Sequence, residues 1–165
     1  MNKIKKTIVI LIIVILGFAS FTPRVLAADF DNGYIISDSD LTSYNSMTLA
    51  EIQTFLDNRA GTLGKFVTVD AFGVMRSAAE IIYQAAQTYK INPKFLLVML
   101  QKEMSLVEDR TPKQSQYDWA MGYAVCDDCS VQDAGVLLSK GFGLQVDKAA
   151  GAQRWYIENT KNGWL

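Results

Sequence analysis

The stretch "FLLVML", Phe95 to Leu100, constrains this chain most. As a helix it is apolar on every side, and such a helix has to be enclosed by other elements. Asn92 as N-cap and Pro93 at the first helical position predict where it starts. The spacing predicts that it runs to about residue 106.

The rest of the chain supplies helices to enclose it. In "MTLAEIQTFLDNRAG", Thr48 and Glu51 form a capping box, with Met47 and Ile52 placed for a hydrophobic staple. Leu49, Ile52, Phe55 and Leu56 make its inward stripe, and Gly61 suits its stop. Ser77 and Glu80 form a second capping box, ahead of a helix with Ile81, Ile82, Ala85, Ala86 and Tyr89 on one side. Ser130 with Asp133 predicts a short helix ending before Gly141. A last helix, Val146 to about Asn159, turns Val146, Ala149, Ala150 and Ile157 inward. Residues 28–46 read as loop with at most a short strand near Tyr34 to Ile36.

Strand patterns are otherwise nearly absent, so the expected class is all-α, a compact helical domain around a buried central helix at about 93–106. Its expected organisation is a leader at 1–27, a lead-in with one helix at 28–76, and the helical domain at 77–165. The apolar ending "GWL", just after a helix, leaves open whether the domain continues further.

The leader is "MNKIKKTIVILIIVILGFASFTPRVLA", with three lysines, a mostly apolar stretch from Ile8 to Phe21 and Val25-Leu26-Ala27. That is the layout of a secretory signal cleaved after Ala27. The alternative is an uncleaved anchor, for which Ile8 to Phe21 falls short of the roughly 18–20 residues that span a bilayer. Either reading puts the folded part outside the cytoplasm, with membrane contact only through an uncleaved leader.

Removing the leader leaves 12 basic and 17 acidic side chains. A net negative domain is a poor nucleic-acid binder, and an anionic polymer has to be held by local contacts. The sequence has no histidine, which excludes Ser-His-Asp and Cys-His catalysis and most zinc enzymes. No metal and no cofactor are expected. Chemistry falls to carboxylates, tyrosines, lysines or cysteines.

Glu103 is the carboxylate that spacing singles out. Its helical neighbours, Met99, Leu100, Leu106 and Val107, are all apolar, while Lys102 projects about 100° away and is no automatic partner. Burial and the negative end of the helix both disfavour a charged carboxylate there. A neutral carboxyl on an apolar wall suits a general acid for glycosidic cleavage. The alternative is a solvated glutamate at a helix end.

At this point the sequence resembles a family. "INPKFLLVMLQKEMSLVED" is similar to the catalytic helix of the lysozyme-like lytic transglycosylases, and a bacterial glucosaminidase branch of the same superfamily is related. "WAMGYAVCD" is similar to the family's glycine segment that closes over bound sugar. "VDKAAGAQRWYIE" resembles its later helix, which supplies a tyrosine to the cleft. The likeness runs over about residues 77–160. It departs where the serine expected after the glutamate is Met104, with Ser105 one place later, and where Val125 replaces a glutamine.

The resemblance implies a lysozyme-like fold and Glu103 as the single catalytic acid and base. It implies Ser105, Met121, Gly122, Tyr123 and Tyr156 as substrate contacts, and peptidoglycan or a related glycan as partner. In such an enzyme the glutamate protonates the oxygen between N-acetylmuramic acid and N-acetylglucosamine, then accepts the proton of the sugar's 6-hydroxyl as an anhydro ring closes. A hydrolase needs a second carboxylate, which Asp118, Asp127 or Asp128 is available to supply. A binding-only or adhesin module of the same fold is the third reading. Of Tyr117, Trp119, Tyr123, Trp155 and Tyr156, about two are expected to face a cleft, the rest being core.

Cys126 and Cys129 are the only cysteines. Outside the cytoplasm they predict a local disulfide that stiffens the loop after Gly122, with modest gain in stability from so small a ring. A redox site is the alternative, without the βαβ pattern it usually keeps.

Overall fold

The structure is a computed structural model that describes residues 34–126, 128, 130–161 and 163. The leader at 1–27, Asp127 and Cys129 lie outside the described residues. The chain divides into two units, residues 1–35 and 36–165. The second carries all the secondary structure among the described residues.

In chain order these elements are α1 (Asp38–Leu41), α2 (Leu49–Asp57), a single 3-10 turn (Leu63–Lys65), β1 (Val67–Val69) and β2 (Met75–Ser77). Helices α3 (Ala78–Tyr89), α4 (Pro93–Met104), α5 (Gln114–Asp118), α6 (Ala134–Leu137) and α7 (Phe142–Lys161) follow. Both capping boxes form: Thr48 with Glu51 opens α2, and Ser77 with Glu80 opens α3. The backbone and hydroxyl donors of those serine and threonine caps hold both glutamates below the ordinary carboxylate range. Asn92 caps α4 by accepting from the Lys94 N–H at 2.9 Å.

Helices α3 and α7 pack side by side, and α2 and α4 also lie against α3. Ile52, Leu56, Leu63, Ile82, Leu96, Leu100, Leu106 and Val146 are fully buried in one core. Burying a side chain of this size contributes about 1.5–3 kcal/mol, so this group dominates the hydrophobic stabilisation. Helices from both sides of residue 77 therefore share a single core.

The all-α expectation is corrected. β1 and β2 pair antiparallel, Val67 opposite Ser77 and Val69 opposite Met75. The cause lies in the turn between them. The buried Asp70 carboxylate accepts from the N–H groups of Phe72 (2.8 Å) and Val74 (2.9 Å) and from Arg76 Nε (2.8 Å), and Gly73 takes φ +82. An aspartate that ties its own turn in this way is an Asx device, with glycine at the left-handed position. Strands of three residues are too short for alternation to announce them.

Other boundaries move as well. The segment from Tyr34 to Ile36 forms no strand, and α1 follows it. Helix α2 ends at Asp57, four residues before Gly61. Gly61 serves close approach instead, since a β-carbon there would collide with the Val107 carbonyl. Leu49 is exposed at the start of α2. Helix α4 stops at Met104 rather than 106 and is not enclosed all round, as Val98 is 61% exposed. Asp133, not Ser130, immediately precedes α6, and α7 begins four residues before Val146.

Candidate functional site

Helix α4 ends abruptly, and that end creates the site. Ser105 takes φ +57, its N–H bonds the Gln101 carbonyl at 2.9 Å, and the Leu106 N–H bonds the Leu100 carbonyl at 3.2 Å. This is the paired-bond termination usually built on glycine. It folds Leu106 and Val107 back into the core and leaves Glu103 at the rim. The Glu103 side chain is 28% exposed. Lys102 turns toward it, with Nζ 2.9 Å from Oε1. The long lysine stem overcomes the angular separation that spacing predicts.

The other carboxylate oxygen, Oε2, faces Gly122. A β-carbon there would lie 3.0 Å from it, and Gly122 has φ +64. Glycine suits the backbone conformation, and a side chain there would have to displace the glutamate. The turn is closed by the Gly122 N–H on the Trp119 carbonyl at 2.9 Å. Ala124, two residues on, also sits at φ +62 without being glycine. Such backbone strain persists only where the surroundings hold it.

What holds it is Gln145 on α7, completely buried. Its Oε1 accepts from the N–H groups of Met121 (3.2 Å) and Tyr123 (3.0 Å). Its Nε2 donates to the carbonyls of Tyr123 (3.0 Å) and Ser139 (2.7 Å). One side chain thus clamps both sides of Gly122. Sequence reasoning passed over it, although Gln145 stands four residues before Ala149 on the inward stripe of α7.

The predicted site residues separate into groups. Glu103 and Gly122 meet directly, and Met121 is buried behind the turn. Tyr123 and Tyr156 line a common groove of about 640 Å³ on α7, with Trp155, Tyr89, Asp147 and Lys148. Glu103 is not among its described lining residues. Ser105 is exposed, and its backbone rather than its hydroxyl shapes the site. Tyr117 and Trp119 are buried, Tyr117 stacking on Phe66 at 3.9 Å.

Of the candidate second carboxylates, Asp118 is engaged by Lys140 (3.4 Å) and Gln114 (3.0 Å), and Asp128 is exposed. Among the described residues, no three acidic or cysteine side chains are grouped to hold a metal ion. Cys126 is disulfide-bonded, while the predicted Cys129 half of the pair lies outside the described residues.

These features define a helical domain with a small hairpin and one rim glutamate against a glycine turn. The family described as LasA, N-terminal domain, matches residues 34–154, and the chain belongs to it. Comparison with curated proteins and with solved structures finds no match. The family is one of secreted proteins, and no helix among the described residues is long and apolar enough to cross a membrane.

Proposed function

We propose that this is an exported peptidoglycan-cleaving domain in which Glu103 is the single general acid and base, working as a lytic transglycosylase. The leader at 1–27 then acts as a signal peptide, cleaved after Ala27. The observation that carries the reading is the placement of the Glu103 carboxylate against the Gly122 turn. It sets a partly buried carboxyl beside a fixed backbone edge, at the end of α4.

In the proposed reaction Glu103 gives its proton to the oxygen leaving C1 of the muramic acid. It then takes the proton of that sugar's 6-hydroxyl as the oxygen attacks C1, which closes an anhydro ring. Lys102, an exposed side chain, has to move aside for the glycosidic oxygen to reach that carboxylate oxygen.

The 2.9 Å ion pair between Lys102 and Glu103 favours a second reading, a module that binds glycan without cutting it. The lysine occupies one oxygen of the carboxylate. Purified peptidoglycan incubated with the exported protein separates the readings by product mass. Anhydro ends support the proposal, reducing ends mean a hydrolase, and retention without products means a binder. Glu103→Gln is expected to lower cleavage by about a hundredfold or more, as removal of an acid-base group does. Unchanged turnover in that variant would remove Glu103 from the chemistry.

A further inference from the structure

The groove on α7 is a separate feature from the Glu103 rim and has its own chemistry. Trp155 and Tyr156 are 53% and 51% exposed, and their rings meet edge to face at 5.2 Å. Large aromatic rings half out of water beside each other usually mark a binding surface. Tyr123 and Tyr89 face the same space, and Gly151 and Ala152 give it a shallow floor. A β-carbon at Gly151 would lie 3.1 Å from the Tyr89 ring and would press on it.

The polar groups of the groove are already fixed. The Tyr89 hydroxyl donates to both Asp147 oxygens at 3.1 Å. Burial first, and the Asp147 charge second, push that phenol above its ordinary value, so it remains a donor. Lys148 is turned aside onto the Leu138 carbonyl (2.7 Å) and Ser139 Oγ (3.1 Å). The groove therefore offers an anchored carboxylate acceptor and flat aromatic faces, with the Lys148 ammonium occupied. That set is suited to a neutral ligand with apolar ring faces and many hydrogen-bond donors. An anion meets Asp147 unfavourably, and a purely apolar ligand leaves the carboxylate stranded.

We propose that this groove is a saccharide-binding subsite, in which Trp155 and Tyr156 stack on pyranose faces and Asp147 accepts hydroxyl or acetamido hydrogens. This rests on the glycan reading above for the ligand class, and not on catalysis by Glu103. Tyr123 links the two places, since it follows Gly122 directly and lines the groove. A glycan seated in the groove therefore lies next to the turn that faces the glutamate.

The test titrates the exported protein with chitotetraose, read by calorimetry and by tryptophan fluorescence, in the parent and in Glu103→Gln, Trp155→Ala and Asp147→Asn. Circular dichroism first establishes that each variant is folded. Binding is expected in the parent and in Glu103→Gln, with about tenfold weakening in Trp155→Ala, the scale of a lost aromatic contact. Asp147→Asn should weaken binding by less, because an amide still accepts. Binding of undiminished strength in folded Trp155→Ala, or none in the parent, would overturn the subsite. Binding as expected without cleavage of peptidoglycan supports the subsite while defeating the enzymatic reading, so the two fail separately.

Discussion

The Oε2 atom of Glu103 lies 3.0 Å from the point that a β-carbon on Gly122 would occupy. Gly122→Ala places a methyl group there and forces an L-residue to φ +64. The left-handed conformation alone costs roughly 1–2 kcal/mol, and the glutamate must also shift. Urea unfolding is expected to show a loss of about that size, with a fall in any glycan cleavage beyond what the lost stability explains. Equal stability and equal activity would mean that the contact constrains nothing.

The Gln145 amide serves four backbone groups, on Met121, Tyr123 and Ser139. Gln145→Leu keeps much of the volume and removes every partner. Buried backbone groups left unpaired cost about 1–3 kcal/mol each, less where water reaches them, so a total loss of about 3 kcal/mol is expected in chemical denaturation. Gln145→Glu keeps the acceptor but sets a buried carboxylate against the Tyr123 and Ser139 carbonyls, so its loss at neutral pH should be at least as large. Full stability in either variant would contradict the clamp.

The helical part of the fold was legible because its signals are local. Thr48 with Glu51, Ser77 with Glu80, and Asn92 with Pro93 each satisfy a helix end through residues at most three apart in sequence. The hairpin was not legible, since its cause is one aspartate closing a five-residue turn between strands too short to alternate. The enclosure of Val98 failed for a related reason. An apolar run says that a helix wants cover, not which neighbour reaches it. At the candidate site, periodicity set Glu103 among Leu100, Leu106 and Val107, but α4 ends at Met104, so Leu106 and Val107 are not its helical neighbours, and Val107 faces a different cavity with Val98 and Gln101. The clamp by Gln145 joins residues more than twenty apart, and no spacing rule carries that.

The Asp70 carboxyl is held below the ordinary aspartate range by the Val74 N–H first, then by Arg76 and the Phe72 N–H, with burial opposing them. Its value in the folded state is thus lower than in the unfolded chain, and the unfolded state binds more protons as pH falls. The stability it contributes is therefore fully present above the ordinary aspartate value of about 3.9. It is lost as pH drops below that and through the lower folded value. Glu51, Glu80 and Asp109 shift in the same direction, so acid sensitivity of the parent alone does not isolate Asp70. The comparison that does is the gap in urea midpoint between the parent and Asp70→Asn. Asparagine can still accept in the turn but cannot pair with Arg76 as a charge. The gap should be widest near about pH 7 and narrow steadily below about pH 4. A gap that stays constant across that range would show that the hairpin depends on the shape of residue 70 and not on its charge.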